Sequence, residues 1–143
     1  MAQPAKILSA GVVIVRYRDN EPRYLLLRAY HYWDFPKGLV EENEDPLATA
    51  VREVEEETTL TGLTFRWGND YRETPPYRRG KVARYYIAAS SEGDVSLPIN
   101  SELGHPEHHE FRWIDYEDAR ELLAPRVQPI LDWAHALIGD KAQ

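Results

Sequence analysis

Residues Gly38–Leu60, with the sequence GLVEENEDPLATAVREVEEETTL, decide how the rest of the chain is interpreted. Asp45-Pro46 predicts a helix start, because an aspartate can accept hydrogen bonds from the free amides of the first turn and proline is tolerated there. From that point apolar residues recur at intervals of three and four, at Leu47, Ala50, Val51 and Val54. This spacing predicts one buried stripe along an α-helix.

The same helix carries three carboxylates on one patch. Glu53 and Glu57 are four residues apart, and Glu56 lies three beyond Glu53. Like charges at this spacing cost about 0.2–0.5 kcal/mol per pair, so the patch suits a bound cation. Carboxylate oxygens are hard ligands for Mg²⁺ or Mn²⁺, which in turn hold phosphate oxygens. Arg52, one turn before Glu56, can hold a carboxylate in a bidentate pair. From these residues alone, a solvated acidic helix face is the alternative.

The wider spacing is more specific than the acidic run. Gly38 is followed by Glu44, by Arg52-Glu53, by the apolar Val54, by Glu56-Glu57 and by the apolar Leu60. This pattern resembles the Nudix box, the signature of hydrolases that act on nucleoside diphosphates linked to another group. Thr59 departs from it, because the family has glycine there and a β-branched residue is disfavoured in the left-handed conformation that often follows a helix. One interpretation is that the helix continues and ends at Gly62.

Two further segments resemble the asymmetrical diadenosine tetraphosphate hydrolase group of that family. The string Trp33-x-Phe35-Pro36-Lys37-Gly38 enters the box, and the resemblance implies a phosphate contact for His31. Lys37, a cation next to the acidic helix, is expected to contact phosphate as well. From the residues alone, the two aromatic rings are expected to pack in the core. On a strand predicted over Lys81–Ala89, Lys81 and Tyr85 match a Lys–Tyr pair that is expected to contact the polyphosphate. From the residues alone, an edge lysine and a half-buried tyrosine fit this strand equally well. Its period of two places Lys81, Ala83, Tyr85 and Ile87 on one face.

The segment His105–Trp113 contains three histidines and two glutamates. Their spacing matches no zinc pattern. A glutamate and histidine before an apolar-Arg-Trp strand resemble the corresponding segment of the same hydrolases, in which a loop glutamate completes the metal site or acts as base. Glu107 is the residue that aligns, and Glu110 is the second choice.

Composition sets the outer limits. The 143 residues favour one domain over 1–143, and 17 basic against 24 acidic side chains give a net charge of −7. Electrostatic binding to the DNA backbone over a broad basic surface is therefore not expected. The absence of cysteine excludes disulfides, thiolate metal sites and cysteine nucleophiles. We expect no membrane segment, and the cytoplasm is the default location.

The remaining pattern predicts a chain of mixed α and β structure. Strands are predicted over Ile7–Tyr17 and Tyr24–Leu27 as a hairpin, over Leu63–Arg72, over Lys81–Ala89 and over Phe111–Ile114. Helices are predicted over Asp115–Leu123 and Pro125–Ile138, the second packing through Ile130, Leu131, Trp133 (or Ala134) and Leu137. The fold class is α+β, and the resemblance implies the Nudix α/β/α sandwich, a mixed sheet between helices.

The resemblance also implies a mechanism. Mg²⁺, or Mn²⁺ as the alternative, contacts Glu53, Glu56, Glu57, Gly38 and Glu107. The metal neutralises phosphate oxygens and activates a water, whose proton is taken by Glu107 or Glu53. Arg52 orients a ligand carboxylate, Glu44 supports Arg52 or the water, and Lys37 and Lys81 hold the phosphates that do not react.

The leading substrate is diadenosine tetraphosphate, cleaved asymmetrically to ATP and AMP. RNA 5′-triphosphate ends are the runner-up, and that group usually has Pro-Gln-Gly where this chain has Pro36-Lys37-Gly38. Other nucleotide polyphosphates stay open, as does the choice between monomer and dimer. A Nudix-like binding module without catalysis ranks last, because such modules commonly lose carboxylates that this chain keeps.

Overall fold

The computed structural model describes residues 7–139. The strands are β1 (Ile7–Arg18), β2 (Glu21–Ala29), β3 (Tyr32–Asp34), β4 (Lys37–Leu39), β5 (Arg72–Glu73), β6 (Lys81–Ala89), β7 (Ile99–Asn100), β8 (His105–Pro106) and β9 (Glu110–Ile114). The helices are α1 (Pro46–Thr58), α2 (Tyr116–Leu122) and α3 (Gln128–Ile138). The predicted α+β class is confirmed, as is the hairpin that β1 and β2 form.

The strand β1 lies at the centre of a mixed seven-stranded sheet. It pairs antiparallel with β2 and β4, and parallel with β6, where Gly11 lies opposite Tyr85. β9 pairs with the outer edge of β2, and β5 pairs with β6. The parallel contact between β1 and β6 brings the start of β6 beside the start of β1. The start of β6 therefore lies near β4, which pairs with the same part of β1 and leads into the segment before α1.

Both faces of the sheet are covered, which explains the unbroken apolar run Val12–Val15 of β1. All four of these side chains are fully buried. Val12 and Ile14 pack with Ala50 and Val54 of α1 on one face, whereas Val13 and Val15 pack with α2 and α3 on the other. The fold is thus the predicted helix–sheet–helix sandwich. Val51 does not join the predicted stripe of α1, since it is 40% exposed.

The ends of α1 follow from local chemistry. The Asp45 carboxylate caps the first turn by accepting a hydrogen bond from the Ala48 amide at 3.1 Å. The helix ends at Thr58, and Thr59 adopts the left-handed conformation with φ 66°, its N–H donating to the Glu55 carbonyl. The interpretation that the helix runs on to Gly62 is therefore wrong. Thr59 occupies the position that the family fills with glycine, and its β-branched side chain carries a steric penalty in this conformation.

Two other boundaries differ from prediction. The strand predicted over Leu63–Arg72 is wrong: Thr64 alone bridges to Ala89, and a turn at Gly68 with φ 89° interrupts the segment before β5 begins at Arg72. The last helix begins at Gln128 rather than Pro125. It buries Ile130, Leu131, Ala134 and Ile138 and leaves Leu137 exposed, because the residues spaced by four share the face that meets the sheet.

No helix between residues 7 and 139 combines the length and the apolar character that a membrane crossing needs.

Candidate active site

A cavity of about 560 Å³ lies against the acidic face of α1. The helix lines it with Arg52, Glu53, Glu56 and Glu57. The segment Leu97–Glu102 forms the opposite wall, and Glu107 and His108 complete the lining together with Glu41. Parts of the chain separated by some fifty positions therefore meet in one acidic space. We call it the acidic cavity.

Arg52 organises the carboxylates of this cavity. Its Nε and Nη2 donate to Glu44 Oε2 and Oε1 at 2.9 and 3.0 Å, a bidentate pair. Its Nη1 donates to Glu53 Oε2 at 2.9 Å and to Glu56 Oε1 at 3.1 Å. Arg52 thus links the loop before α1 to two carboxylates on the helix.

The pKa of Glu44 shows the strength of this arrangement. Hydrogen bonds from Arg52, followed by those from Thr49 and the Glu41 amide, lower the pKa of Glu44 to about 2. Glu44 therefore stays ionised at any pH near neutrality, and it holds the guanidinium in one orientation.

Glu57 is the buried member of the acidic patch. Its side chain is 4% exposed, and its Oε1 is buried without a hydrogen-bond partner. Burial, then the nearby Glu107 and Glu53 carboxylates, raise its pKa well above the usual value. A buried carboxylate oxygen without a donor is costly unless a cation or donor reaches it. The Glu57 Oε1 atom is therefore able to accept a contact from a cation or a donor that enters the cavity.

Gly38 lies directly against the Glu53 side chain. A Cβ placed on Gly38 would come within 2.0 Å of the Glu53 Cδ atom. Glycine at this position leaves room for the Glu53 side chain to lie against β4.

Glu107 and His108 enter the cavity from the loop between β8 and β9. Burial, and next the Glu53 carboxylate, raise the pKa of Glu107. His108 Nε2 lies 3.8 Å from Glu57 Oε1, which is too long for a hydrogen bond. Burial and the nearby Lys37 lower the pKa of His108 to about 4, so at neutral pH this contact is not an ion pair.

The donor set fits a hard divalent cation, although the carboxylates are not yet gathered around one point. Among residues 7–139, no three acidic or histidine side chains converge as a ready-made metal cage. Arg52 holds Glu53 and Glu56 instead. Carboxylate oxygens on successive turns of α1, among them the unpartnered Glu57 oxygen, are the type of donor that Mg²⁺ or Mn²⁺ prefers.

The predicted phosphate contacts lie at three different places. Lys37 is half-buried, with Nζ 3.8 Å from Asp34 Oδ2, close to the acidic cavity. Lys81 is exposed at the start of β6, and His31 is exposed in the turn between β2 and β3. None of these three side chains is among those that line the acidic cavity.

Tyr85 lies on the sheet face that packs against α2 and α3, opposite α1. It is fully buried, and its hydroxyl donates to Asp34 Oδ1 at 2.8 Å. The predicted alternation of β6 is confirmed, since Ala83 and Ile87 share this face whereas Tyr86 and Ala88 face α1.

Two residues at the site were given no role by sequence reasoning. Asp34 accepts hydrogen bonds from Tyr85 and from the Phe35 amide, and it faces Lys37. His108 contributes a ring beside Glu57. Its position next to Glu107 was the available signal, whereas nothing local in the sequence connects Asp34 with a tyrosine 51 positions away.

Comparison with known proteins gives the family of this chain. Residues 7–134 match the family model described as NUDIX domain. The chain belongs to the Nudix family. As a Nudix hydrolase, it is an enzyme that acts on phosphoanhydrides, and hydrolases of this family generally use divalent metal ions.

The individual proteins that this Nudix hydrolase resembles share about a third of its residues or fewer. A bis(5′-nucleosyl)-tetraphosphatase (asymmetrical) from Caenorhabditis elegans is 33% identical over 119 residues, covering 79% of this chain and 82% of the relative. The binary complex of a C. elegans Ap4A hydrolase superposes with a TM-score of 0.78 at 29% identity, covering 91% of this chain and 97% of that one. An RNA pyrophosphohydrolase from Rhodospirillum rubrum is 30% identical over 134 residues, covering 85% and 80%.

Proposed function

We propose that this Nudix hydrolase cleaves a dinucleoside polyphosphate asymmetrically, with diadenosine tetraphosphate giving ATP and AMP. The observation that carries the reaction class is the buried, unpartnered Glu57 oxygen in a cavity lined by further carboxylates. The choice of substrate is supported by the similarity to the C. elegans tetraphosphatase. A highly charged anion enters such an acidic cavity only together with cations that neutralise it.

Glu53, Glu56, Glu57 and Glu107, with Gly38, are the residues that would hold Mg²⁺, or Mn²⁺ as the alternative. Such an ion supplies charge neutralisation of phosphate oxygens and makes a water more acidic. Arg52 acts indirectly, through the carboxylates that it binds. It holds Glu53 and Glu56 at 2.9 and 3.1 Å and is itself bound by Glu44, so both carboxylates are kept on the side of α1 that lines the acidic cavity.

The general base is Glu107 in this proposal rather than Glu53. The Glu53 carboxylate already accepts a hydrogen bond from Arg52 Nη1 at 2.9 Å. The pKa of Glu107 is raised, which brings it nearer to the range in which a carboxylate takes up a proton at neutral pH. Glu107 also lines the acidic cavity from the loop between β8 and β9, whereas Glu53 lines it from α1.

The phosphates that do not react are held by the basic side chains of Lys37, Lys81 and His31. Lys37 is nearest to the acidic cavity. Lys81 and His31 are exposed, so they can contact the more distant phosphates of the substrate. Tyr85 acts through Asp34 in this arrangement, because its hydroxyl is already donated to that carboxylate. Asp34 in turn holds the Lys37 ammonium at 3.8 Å, from where Lys37 can exchange this carboxylate for a phosphate of the substrate.

A 5′-triphosphorylated RNA end is the second candidate. The R. rubrum relative supports it at 30% identity, and Arg78, Arg79 and Lys81 form a basic tip at the turn before β6. The net charge of −7 and the lysine at position 37 favour the dinucleotide.

Product analysis in ¹⁸O water separates the two candidates. Diadenosine tetraphosphate and triphosphorylated RNA are each incubated with the protein and Mg²⁺, and the products are separated by chromatography. We expect ATP plus AMP from the first substrate, with ¹⁸O in only one of them, which identifies the phosphorus attacked. Release of phosphate or pyrophosphate from RNA, with the dinucleotide left intact, would replace the proposal by the second candidate.

A further inference from the structure

A second cavity, of about 490 Å³, adjoins the acidic cavity. It is lined by Tyr30, Leu97, His105, Pro106, His108 and His109. Leu97 and His108 line both spaces, so the two cavities share a wall. We call this second space the ring groove, because four of its six lining residues carry planar rings. A substrate with phosphates in the acidic cavity has its far end within reach of the ring groove.

Tyr30 is displayed to solvent instead of being buried. Its side chain is 69% exposed, at a turn between β2 and β3. Its backbone has φ 58°, a conformation that bulky residues normally avoid. Arg28 holds this turn in place, since Nη1 donates to the Tyr30 carbonyl at 2.6 Å and Nε donates to Glu110 at 3.0 Å. The fold therefore supports an exposed ring at the mouth of the groove.

His109 is held by the same strand. Its amide donates to the Arg28 carbonyl at 2.7 Å, and its ring meets the Tyr30 ring edge to face at 5.5 Å. The two rings come from separate segments and lie nearly perpendicular, so the His109 contact holds the exposed Tyr30 ring in place. The face of an aromatic ring can stack with a nucleobase, because every base presents a π-face.

We propose that the ring groove binds the purine base of one nucleoside of the substrate, stacked on Tyr30, while the phosphate chain lies in the acidic cavity. This inference rests on the proposed function and adds a base subsite to it. The groove has the size of a small-ligand pocket, about 300–1,000 Å³. Within residues 7–139 its lining contains no lysine, arginine or carboxylate, which suits a neutral base better than a phosphate.

Two substitutions at Tyr30 separate the ring from the backbone. Tyr30→Asn removes the ring but tolerates the left-handed conformation, and Tyr30→Phe keeps the ring as the matched control. KM and kcat are measured with diadenosine tetraphosphate, and inorganic tripolyphosphate is used as a competitive inhibitor without a base. We expect Tyr30→Asn to raise KM roughly tenfold, the size of effect that losing one base–aromatic stack gives. The kcat and the inhibition constant of tripolyphosphate stay unchanged, and Tyr30→Phe behaves like the wild type.

Other outcomes overturn the inference. A parallel rise of KM and of the tripolyphosphate inhibition constant would make Tyr30 a phosphate contact, and an unchanged KM in Tyr30→Asn would leave the groove without a base. If the wild type does not cleave diadenosine tetraphosphate, the proposed function fails separately. The subsite is then decided by calorimetry with ATP and tripolyphosphate: weaker binding of ATP alone by Tyr30→Asn supports it, and equal affinities refute it.

Discussion

At Gly38, the backbone of β4 lies directly against the carboxylate of Glu53. A methyl group there would come within 2.0 Å of the Glu53 Cδ atom, at the end of a flexible side chain. At Gly11, in contrast, the added Cβ would lie 2.2 Å from the Pro36 carbonyl oxygen, which is backbone. A side chain at Gly38 would therefore meet a flexible side chain of α1, whereas one at Gly11 would meet the backbone of the neighbouring Pro36–Lys37 segment.

We predict that Gly38→Ala reduces activity far more than stability. Glu53 can swing away from the new methyl group, which leaves the core intact but displaces a proposed ligand, and a misplacement of about 1 Å can lower turnover roughly 100-fold. Gly11→Ala is the control, and its overpacking lowers the free energy of unfolding by about 1–3 kcal/mol. Turnover and urea denaturation are measured on both variants. Full activity in Gly38→Ala would show that the position of Glu53 is unimportant.

The bond between Arg52 and Glu44 predicts how stability depends on acid. The pKa of Glu44 is lowered in the folded state to about 2 from its ordinary 4.5. A lowered folded-state pKa stabilises the protein above the unfolded-state pKa, and this contribution is lost as pH falls from about 4.5 towards 2. The stability difference between the wild type and Glu44→Gln should therefore shrink over that interval.

Urea denaturation at a series of pH values measures that difference. Glu42→Gln, on the same loop and exposed, controls for the loss of a charge alone. A difference between the wild type and Glu44→Gln that does not change with pH would mean that the bidentate pair is absent in solution.

On the scale of the element, α1 is a helix whose start follows common rules and whose end does not. Its start has an aspartate cap and a proline in the first turn. Its end places Thr59 in the left-handed conformation, where the threonine hydroxyl donates to the Thr58 carbonyl at 2.5 Å. The acidic run directly before it includes Glu57, so the last turn of α1 combines backbone strain with a buried carboxylate.

We predict that Thr59→Gly stabilises the protein. Glycine removes a steric penalty of about 1 kcal/mol, which for a domain of this size raises Tm by about 3 °C. Thr61→Gly is the matched control. Thr61 is exposed and has no positive φ, so glycine there only adds freedom to the unfolded chain and lowers Tm. Calorimetry measures both, and a lower Tm for Thr59→Gly would contradict the prediction.

On the scale of the whole molecule, local periodicity predicted those elements whose pattern is local. The apolar run of β1, the alternation of β6 and the capped stripe of α1 each carry their own signal, and all three elements form. The strand prediction for Leu63–Arg72 is wrong because the aromatic side chains of this segment pack against the protein while its backbone does not pair as a strand. Arg66, for example, stacks over Trp67 at 4.8 Å.

The candidate site was predictable only in part, because its most informative contacts join distant positions. The three helix carboxylates follow from their spacing of three and four. The burial of Glu57 depends on a loop some fifty residues later, and Asp34 reaches Tyr85 across the sheet. The domain extent 1–143, the cytoplasmic location and the choice between monomer and dimer stay predictions.

The most direct test of metal-dependent hydrolysis at the acidic cavity compares two neighbouring glutamates on α1. Glu56 lines the cavity and has a side chain that is 56% exposed, so Glu56→Gln should not disturb the fold. Glu55 is also exposed but does not line the cavity, and Glu55→Gln is the control. Turnover of diadenosine tetraphosphate is measured for each protein over a range of Mg²⁺ concentrations.

We predict that the wild type and Glu55→Gln depend on Mg²⁺ alike and that Glu56→Gln loses about 100-fold or more in turnover. That loss corresponds to several kcal/mol of transition-state stabilisation by a divalent ion. Circular dichroism should show the same fold in all three proteins. Wild-type turnover by Glu56→Gln at every Mg²⁺ concentration would contradict the assignment of the acidic cavity as the metal-dependent active site.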